Sequence, residues 1–419
     1  MDTAQAQLSF QAVMQIAPFR RLWLGQLVSL FGDFLVLFGV LSVASFKLHA
    51  TPAQITGISV SFLIPFAFFG PLSGVFVDRW NVKRTMIASD LIRAGLALLL
   101  LFAPGIYGIY AILFALSLVS TFFVPAQSVT LRTLVPPHGL LAANALMQQA
   151  LQVVRIISPA VAGLLVWLLG AEICYYVDSF SFLFSAVMIA PLLIRRESAT
   201  ATTGKNTISS VLHQFGEGAK FIFTHSAISF VIISLTAGMF AISCFGPLLA
   251  VYVRDNLKAN EVIFGIVNSM VGVGMIVCTL LITKFAQTRA KTQMVIEGLL
   301  VIGLSVALMT VFGQVIITGV GMFGIGIGAA LIMIPSQTLI QASTPIEMMG
   351  RVSSSVWSLM CIAQVVGLAF SGSLAQRLGV VTLFYLSAAM LVLIAIFGFF
   401  RLAAKAPSSA APVPADAQE

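Results

Sequence analysis

Several charged side chains lie inside apolar stretches of about twenty residues, where their types and spacing allow chemistry. Asp33 is near the middle of the first stretch, and Asp90 and Arg93 lie three residues apart in the third. An ionised group at the centre of a membrane costs about 2.5–3.5 kcal/mol on insertion scales, so each one needs a partner or a function. A spacing of three puts Asp90 and Arg93 on one helix face. We therefore predict an embedded ion pair, with either a structural or a gating role.

Asp33 has no basic residue on its own helix face. Taking up a proton would remove the cost of holding its charge among apolar groups, so we predict that Asp33 carries the coupling proton of a transport cycle. A structural acid capped by a neighbouring helix is the alternative. Asp178 and Glu297 lie closer to the ends of their stretches, where a side chain can reach the interface by snorkelling. For these two a structural role is favoured.

The fifth stretch carries a polar stripe. Asn144, Gln148, Gln152 and Arg155 recur at intervals of four, four and three residues, which places them on one face of a helix. Such a face cannot lie against lipid, so it must line a cavity or be buried against another helix. We predict that it lines a substrate cavity. Arg155 would then offer a fixed positive charge to an anionic substrate, or pair with an embedded aspartate.

The elements that must position these residues follow from composition. Of the 419 residues 59% are apolar and 9% are charged, whereas a soluble domain is about one quarter charged. A helix of about twenty apolar residues crosses a bilayer, and backbone groups in lipid must be paired within helices or a closed barrel. The alternating pattern of a barrel is absent. The predicted spans are 22–46, 54–77, 84–103, 106–130, 143–169, 173–194, 227–253, 262–283, 294–312, 315–338, 352–375 and 382–401.

The net charge of +8 orients the chain rather than indicating a nucleic-acid partner. With a cytoplasmic N-terminus, sixteen of the 22 Lys and Arg residues fall on cytoplasmic segments and four fall outside. This asymmetry is the positive-inside distribution of membrane proteins. We therefore predict a multi-pass protein of the bacterial cytoplasmic (inner) membrane with both termini in the cytoplasm.

The longest polar break divides the spans six and six. We predict an N-terminal six-helix bundle at 1–194, a cytoplasmic linker with an amphipathic helix at 195–226, a C-terminal six-helix bundle at 227–402 and a disordered cytoplasmic tail at 403–419. Residues 124–128, Val-Pro-Ala-Gln-Ser, recur about 210 residues later as Ile-Pro-Ser-Gln-Thr at 334–338. Six helices per half preserve the orientation, so the repeats are parallel, as in one known transporter architecture.

The loop between the second and third spans has a recognisable pattern. A glycine is followed four residues later by Asp-Arg and then by a basic pair, in the order Gly74, Asp78, Arg79, Lys83 and Arg84. This loop resembles the signature loop of the major facilitator superfamily. Residues 158–163 are similar to the antiporter motif of that superfamily. The opening segment, 19–33, resembles the corresponding segment in the branch of the superfamily that contains bacterial macrolide and siderophore exporters.

The resemblance implies the fold and a role for the loop. It implies an all-α membrane protein whose twelve transmembrane helices form two parallel six-helix repeats, the major facilitator fold. In that family the loop residues act in gating, and Asp78 would dock against the start of the eleventh span, near Ser353, in the outward-open state. Asn81 and Val82 replace the usual Gly and Arg. Because Asn tolerates a left-handed turn, we expect the bend to survive.

The function expected is secondary active transport by alternating access: proton-driven efflux of amphipathic small molecules such as drugs or siderophores. No ATP-binding motif is present, so an ion gradient or the substrate's own gradient must supply the energy, and we expect no cofactor, no metal and no enzymatic activity. The expected partners are a small amphipathic substrate, protons and the lipid bilayer, for a monomer. A lysophospholipid or lipid-like translocator is the first alternative. A non-transporting membrane receptor or assembly factor is the second.

Overall fold

The structure, a computed structural model, describes residues 8–77, 80–194, 226–285, 289–343 and 349–403, and these residues form helices and short connections without a strand. The helices are α1 (Phe10–Gln15), α2 (Ala17–Ser42, continued by a π turn Val43–Lys47), α3 (Pro52–Val77), α4 (Val82–Leu99), α5 (Gly105–Leu134), α6 (Leu140–Leu169), α7 (Ile173–Ile189), α8 (Ser226–Phe245), α9 (Leu249–Asp255), α10 (Glu261–Phe285), α11 (Lys291–Phe312), α12 (Val315–Ser343), α13 (Met349–Leu378) and α14 (Val380–Ala403).

The described part of the chain contains twelve helices of at least 17 residues, in the order predicted. Ten of them are long and apolar enough to cross a membrane, and α7 is a shorter apolar helix. For α6, which has 30 residues, crossing the membrane stays a prediction. The all-α membrane fold is confirmed.

The helices repeat along the chain. Each long helix of the second half begins between 207 and 210 residues after its counterpart in the first; α3 begins at 52 and α10 at 261, for example. Two prolines occupy equivalent positions in the two halves: Pro125 is the 21st residue of α5, and Pro335 is the 21st residue of α12. The internal duplication seen in one short sequence motif therefore extends to the helix boundaries.

Helix packing groups α2–α7 into an N-terminal half and the helices from α8 onward into a C-terminal half. In the first, α2 packs on α6 and α7, and α4 on α5 and α7; in the second, α12 packs on α10 and α11, and α14 on α8 and α11. The halves meet chiefly along two helix pairs, α6 with α10 and α3 with α13. The domain boundaries predicted at 194 and 227 stay predictions, since 195–225 lies outside the described residues.

Because successive helices run in opposite directions, the bundle has two ends. We call the end that holds Lys47, Gly170 and Asp255 the Lys47 end, and the opposite end, where α4 begins, the Arg84 end. Helices α6, α11 and α13 stop at the Lys47 end before glycines with positive φ: Gly170 at +85°, Gly313 at +56° and Gly379 at +86°. Glycine adopts this left-handed conformation without steric cost, which makes it a common helix terminator.

Glycines also bring α2 close to α7. Gly25, Gly32 and Gly39 recur every seven residues along the face of α2 that meets α7. A Cβ added at Gly39 would lie 2.8 Å from Cys174 Cβ, and one added at Gly32 would meet the side chains of Ser181 and Asp178. Small residues let membrane helices approach backbone to backbone. The contact holds Asp33, the neighbour of Gly32, beside α7.

Several predicted features lie outside the described residues. These are Asp78 and Arg79 of the loop, most of the 195–226 linker with its amphipathic helix, and the tail from 404 onward. For Gly74, Gln152 and Ser353 the structure describes the backbone, which is helical in each case, but not the side chain.

Candidate functional site

The two halves touch at the Lys47 end. On one side of the bundle, α6 crosses α10 at a pair of glycines, where a Cβ added to Gly163 would lie 2.7 Å from the backbone of Gly265. On the other side, a Cβ added to Gly372 of α13 would run into the Thr56 side chain of α3. Neither Gly163 nor Gly372 has room for a side chain of its own. The Lys47 end is therefore closed.

Aromatic packing completes this closure. Phe38 of α2 stacks on Phe264 of α10 with ring centroids 4.8 Å apart, and Phe46 packs against the same ring at 6.0 Å. Phe38 and Phe264 belong to one hydrophobic core that contains residues of both halves. Each such aromatic pair contributes about 0.5–1.5 kcal/mol beyond the area it buries.

The polar stripe of α6 lies on the helix face that closes against the other half. Eighteen residues make five turns of an α-helix, so Asn144 lies directly below Ala162, and Gln148 below Val166. Ala162 and Val166 are buried in the core shared by both halves, with 1% and 2% of their surface exposed. Asn144 and Gln148, nearer the Arg84 end, are exposed. This face of α6 is therefore packed against the other half near the Lys47 end and exposed near the Arg84 end.

Arg155 occupies the middle of this face and is partly exposed. Among the described residues it makes no hydrogen bond or ion pair, and no charged group lies close enough to perturb it. Pairing with an embedded aspartate, one of the two roles expected for it, is therefore not seen. Helix spacing places Arg155 on the face of α6 that carries Ala162 and Val166.

A second cluster of charges lies inside the N-terminal half, where α2, α4 and α7 meet. Arg93 forms the predicted ion pair with Asp90 of its own helix, and both side chains are buried. The guanidinium carbon of Arg93 also lies 4.6 Å from the centre of the Phe123 ring and 4.2 Å from that of Phe182. Arg93 is held by a carboxylate and two aromatic faces, both of which attract a cation.

Asp33 and Asp178 join this cluster from α2 and α7. Asp33 interacts electrostatically with Arg93 and Asp90, and Asp178 interacts with Asp33 and Arg93. Three carboxyl groups therefore share one arginine. Unless protons are bound, the cluster has two more negative charges than positive ones.

The structure corrects the expectation that Asp178 snorkels to the surface. Asp178 is fully buried, and neither carboxylate oxygen has a hydrogen-bond partner within the described residues. The reason is the glycine contact, since Gly32 leaves room for Asp178 between α2 and α7. An ionised carboxylate without partners in such a place costs many kcal/mol. Asp178 is thus a residue whose place the sequence reading missed, although the seven-residue spacing of glycines on α2 was a usable signal.

The described part of the signature loop, from Asn81 to Arg84, lies at the Arg84 end, away from both clusters. Asn81 does not adopt the left-handed turn we expected. Its φ of −74° is ordinary, and its side chain caps α4 by accepting a hydrogen bond from the Arg84 backbone N–H at 3.0 Å. Asn is among the best N-cap residues. Lys83 is partly exposed and Arg84 exposed, both in the first turn of α4.

The remaining acids lie near the ends of the bundle. Glu297 accepts a hydrogen bond from Arg289 at 2.6 Å at the Arg84 end, in agreement with the structural role favoured for it. Glu172 pairs with Lys47 at the opposite end. Within the described residues no group of three or more His, Cys, Asp or Glu side chains is placed to hold a metal ion.

A duplicated helical bundle, closed at one end and carrying polar residues on the α6 face that meets the other half, is the architecture of a secondary transporter. The family model of the Major Facilitator Superfamily matches residues 22–367 and 231–419. The chain belongs to the major facilitator superfamily, and it is a transporter rather than an enzyme. The family resemblance found in the sequence is thereby confirmed.

Relatives of the chain include efflux proteins. The chain is 26% identical over 390 residues to macrolide efflux protein A of Streptococcus pyogenes, covering 90% of this chain and 94% of that protein. It is 27% identical over 386 residues to the MFS-type transporter YfiS of Bacillus subtilis (strain 168), covering 88% and 89%. The multi-drug resistance efflux pump PmrA of Streptococcus pneumoniae (serotype 4 strain) is 23% identical over 388 residues, covering 90% and 93%.

Solved structures share the fold at low sequence identity. A single-residue mutant of the nucleoside transporter NupG matches with a TM-score of 0.73 and 12% identity, covering 91% of this chain and 99% of that one. A bacterial homologue of the iron transporter ferroportin, in an inward-facing state, matches with a TM-score of 0.70 and 16% identity, covering 93% and 99%. These likenesses establish the fold alone.

Proposed function

We propose that the protein exports amphipathic small molecules across the bacterial cytoplasmic membrane by proton-driven alternating access. The observation that carries the proposal is the face of α6, packed at Ala162 and Val166 but exposed at Asn144 and Gln148. A binding cavity that opens to one side at a time needs such a face. The macrolide and multidrug exporters among the relatives support efflux as the direction.

The substrate class follows from the two walls of the gap. The N-terminal wall offers the amides of Asn144 and Gln148 and the charge of Arg155, and helix spacing places Gln152 between them. The C-terminal half has a recess of about 360 Å³ between α8, α13 and α14, lined by apolar side chains such as Phe240, Leu359 and Met390; in this proposal it forms the apolar wall. Ligand sites commonly combine apolar walls with a few polar groups. A molecule with an apolar body and a polar or anionic group suits both walls.

Asp33 carries the coupling proton in this proposal, with Asp178 and the Asp90–Arg93 pair around it. Since three carboxyls share one arginine, binding a proton reduces the excess negative charge of the cluster. Loading from one side of the membrane and release to the other, as the halves rock, would couple proton entry to substrate exit. Gly74, Asp78, Arg79, Lys83 and Arg84 would control switching from the Arg84 end.

The sixteen-to-four distribution of basic residues supports a cytoplasmic location for the Arg84 end. Both termini are then cytoplasmic, and the arrangement described here is open toward the cytoplasm. Reporter fusions at Lys47, Arg196 and Arg254 should read outside, inside and outside. A reading of outside at Arg196 would contradict the scheme of six spans in each half.

Transport into proteoliposomes tests the function. Purified protein should accumulate a radiolabelled macrolide against its gradient when a pH gradient is imposed, and should lose accumulation when the gradient is collapsed. A fluorescent lysophospholipid tests the lipid-translocator alternative in the same vesicles. Movement of the lysophospholipid alone would favour that alternative, and accumulation unaffected by the pH gradient would refute proton coupling.

A further inference from the structure

One side chain reaches across the closed end from one half to the other. Arg254, near the end of α9 in the C-terminal half, donates from Nη1 to the backbone carbonyl of Ser45 at 2.7 Å and to that of Ala50 at 3.0 Å. Both acceptors belong to the N-terminal half. Among the described residues, these are the hydrogen bonds that join the two halves. Asp255 also interacts electrostatically with His49 across the same boundary.

The acceptors lie where α2 ends. Ser45 is in the π turn Val43–Lys47 that continues α2, and Ala50 follows in the connection to α3. The last carbonyls of a helix lack donors within the helix and carry its partial negative charge. A guanidinium is therefore a suitable partner for this point, and its planar fork reaches two carbonyls at once.

Asp255 holds the guanidinium in position. Arg254 Nε donates to Asp255 Oδ1 at 2.7 Å and Nη2 donates to Oδ2 at 2.9 Å, a bidentate pair. Arg254 is 15% exposed and Asp255 is 51% exposed, so the carboxylate covers the arginine from the solvent side. Bidentate pairing fixes the orientation of an arginine. The remaining Nη1 group then points at the opposite half.

The backbone on each side of this contact is strained. His49, between the two acceptor residues, has a φ of +49°, and Lys258, three residues after Asp255, has a φ of +52°. Residues other than glycine rarely adopt such values, and they keep them only where the surrounding structure enforces them. Each residue sits in a helix C-terminal turn closed within its own half, by Ala50 N–H donating to the Ala44 carbonyl at 2.9 Å and by Ala259 N–H donating to the Val253 carbonyl at 3.1 Å. These turns fix the backbone on both sides of the Arg254 contact.

We infer that Arg254, oriented by Asp255, is the latch of the Lys47 end, and that opening this end requires its two hydrogen bonds to the N-terminal half to break. The latch goes beyond the proposed substrate and proton sites, because it acts on the equilibrium between the two open states. Hydrogen bonds to a charged group are strong enough to change such an equilibrium by about tenfold. Weakening the latch should populate the state that is open at the Lys47 end.

Distances between spin labels measure this equilibrium. In a background whose four cysteines are replaced by alanine, labels at Tyr107 and Gln314 report on the Lys47 end, and labels at Thr133 and Ala290 on the Arg84 end. Arg254→Gln should increase the population with a long Tyr107–Gln314 distance about tenfold. The Thr133–Ala290 distance should shorten in the same population, because one end closes as the other opens.

Three further variants separate a latch from a structural contact. Arg254→Lys keeps the charge but not the fork, and should shift the population less than Arg254→Gln. Asp255→Asn leaves Arg254 in place without its bidentate partner and should shift it in the same direction. Arg377→Gln removes an exposed arginine at the same end and should leave both distances unchanged.

Thermal unfolding in detergent completes the test. Unchanged distances in both Arg254→Gln and Asp255→Asn would overturn the inference. A fall in melting temperature with unchanged distances would overturn it too, since the residue would then be structural. If Arg254→Gln does not yield folded protein, the distances in Arg254→Lys and Asp255→Asn decide.

Discussion

The two halves of the molecule share helix lengths and order but differ in embedded charge. The N-terminal half buries Asp90, Arg93 and Asp178, whereas the buried polar side chains described in the C-terminal half are hydroxyls of serine and threonine, such as Ser269 and Thr310. A hydroxyl can donate a hydrogen bond to the backbone carbonyl of the preceding helical turn, as Thr310 does to the Val306 carbonyl at 2.6 Å. An ionised carboxylate has no proton to donate to such a carbonyl, so it needs a partner from elsewhere. The duplication therefore determines the architecture, while the charged chemistry belongs to one copy.

This asymmetry assigns different tasks to the halves. In the proposed cycle the N-terminal half binds the proton and the polar part of the substrate. The C-terminal half then serves as an apolar partner that closes against it through Phe264 and Gly265 and is latched by Arg254. Each of the following variants tests one part of that contrast.

The largest effect is expected for the acid of α2. Asp33→Asn should abolish proton-driven accumulation in proteoliposomes yet retain downhill exchange of substrate, because the cavity stays intact while one proton site is lost. Glu297→Gln, in the other half, should leave accumulation within about twofold, because a half-exposed surface pair contributes little. If Asp33→Asn still accumulates substrate on a pH gradient, the proton site lies elsewhere, with Asp178 and Asp90 next. If exchange is lost as well, Asp33 is a substrate contact or a structural residue.

A large effect on stability is expected for the buried ion pair. Arg93→Gln leaves Asp90 buried without its partner and should lower the free energy of unfolding by about 3–5 kcal/mol. The double variant Asp90→Asn/Arg93→Gln should recover part of this loss, since no unpaired charge remains. Arg289→Gln breaks the half-exposed Glu297 pair of the C-terminal half and should cost at most about 1 kcal/mol. The free energies of unfolding are measured by chemical unfolding in detergent. Equal destabilisation by Arg93→Gln and Arg289→Gln would contradict the difference proposed between the two halves.

A smaller, qualitative difference is expected between two faces of α6. Gln148 lies on the polar face, and Val153, five residues on, projects about 140° away around the helix; both are exposed. Gln148→Cys should react with a charged, membrane-impermeant thiol reagent applied from the cytoplasmic side, and substrate should protect it. Val153→Cys should be inert because it faces lipid. Inertness of both would place the polar face in a buried helix contact.

The smallest effect concerns the ion pair at the Lys47 end. The hydrogen bond from Lys47 lowers the pKa of the Glu172 carboxyl below its ordinary value. A carboxyl whose folded pKa is depressed stabilises the protein at neutral pH, and that contribution disappears as the pH falls through the folded pKa. Since both side chains are nearly half exposed, Glu172→Gln should cost less than about 1 kcal/mol. The difference in melting temperature from wild type should vanish in acid.

Much of the site was predictable from residue type and spacing. The interval of three between Asp90 and Arg93 predicts their ion pair, because helix geometry alone brings such residues together. The stripe of α6 was predictable for the same reason. What spacing could not reveal is which face of one helix meets which neighbour. Asp178 and Asp33 are 145 residues apart in the chain, and only the packing of α2 on α7 brings them into one cluster.

The sequence by itself determined the membrane fold, its duplication and the short-range charge pairs. These depend on apolar length, on repetition and on helix periodicity, all of which are local properties of the chain. The tertiary structure alone decided that three acids share one arginine, that the polar face of α6 is closed at one end and open at the other, and that Arg254 spans both halves. Those features depend on contacts between distant segments, and the same local pattern is compatible with several such packings.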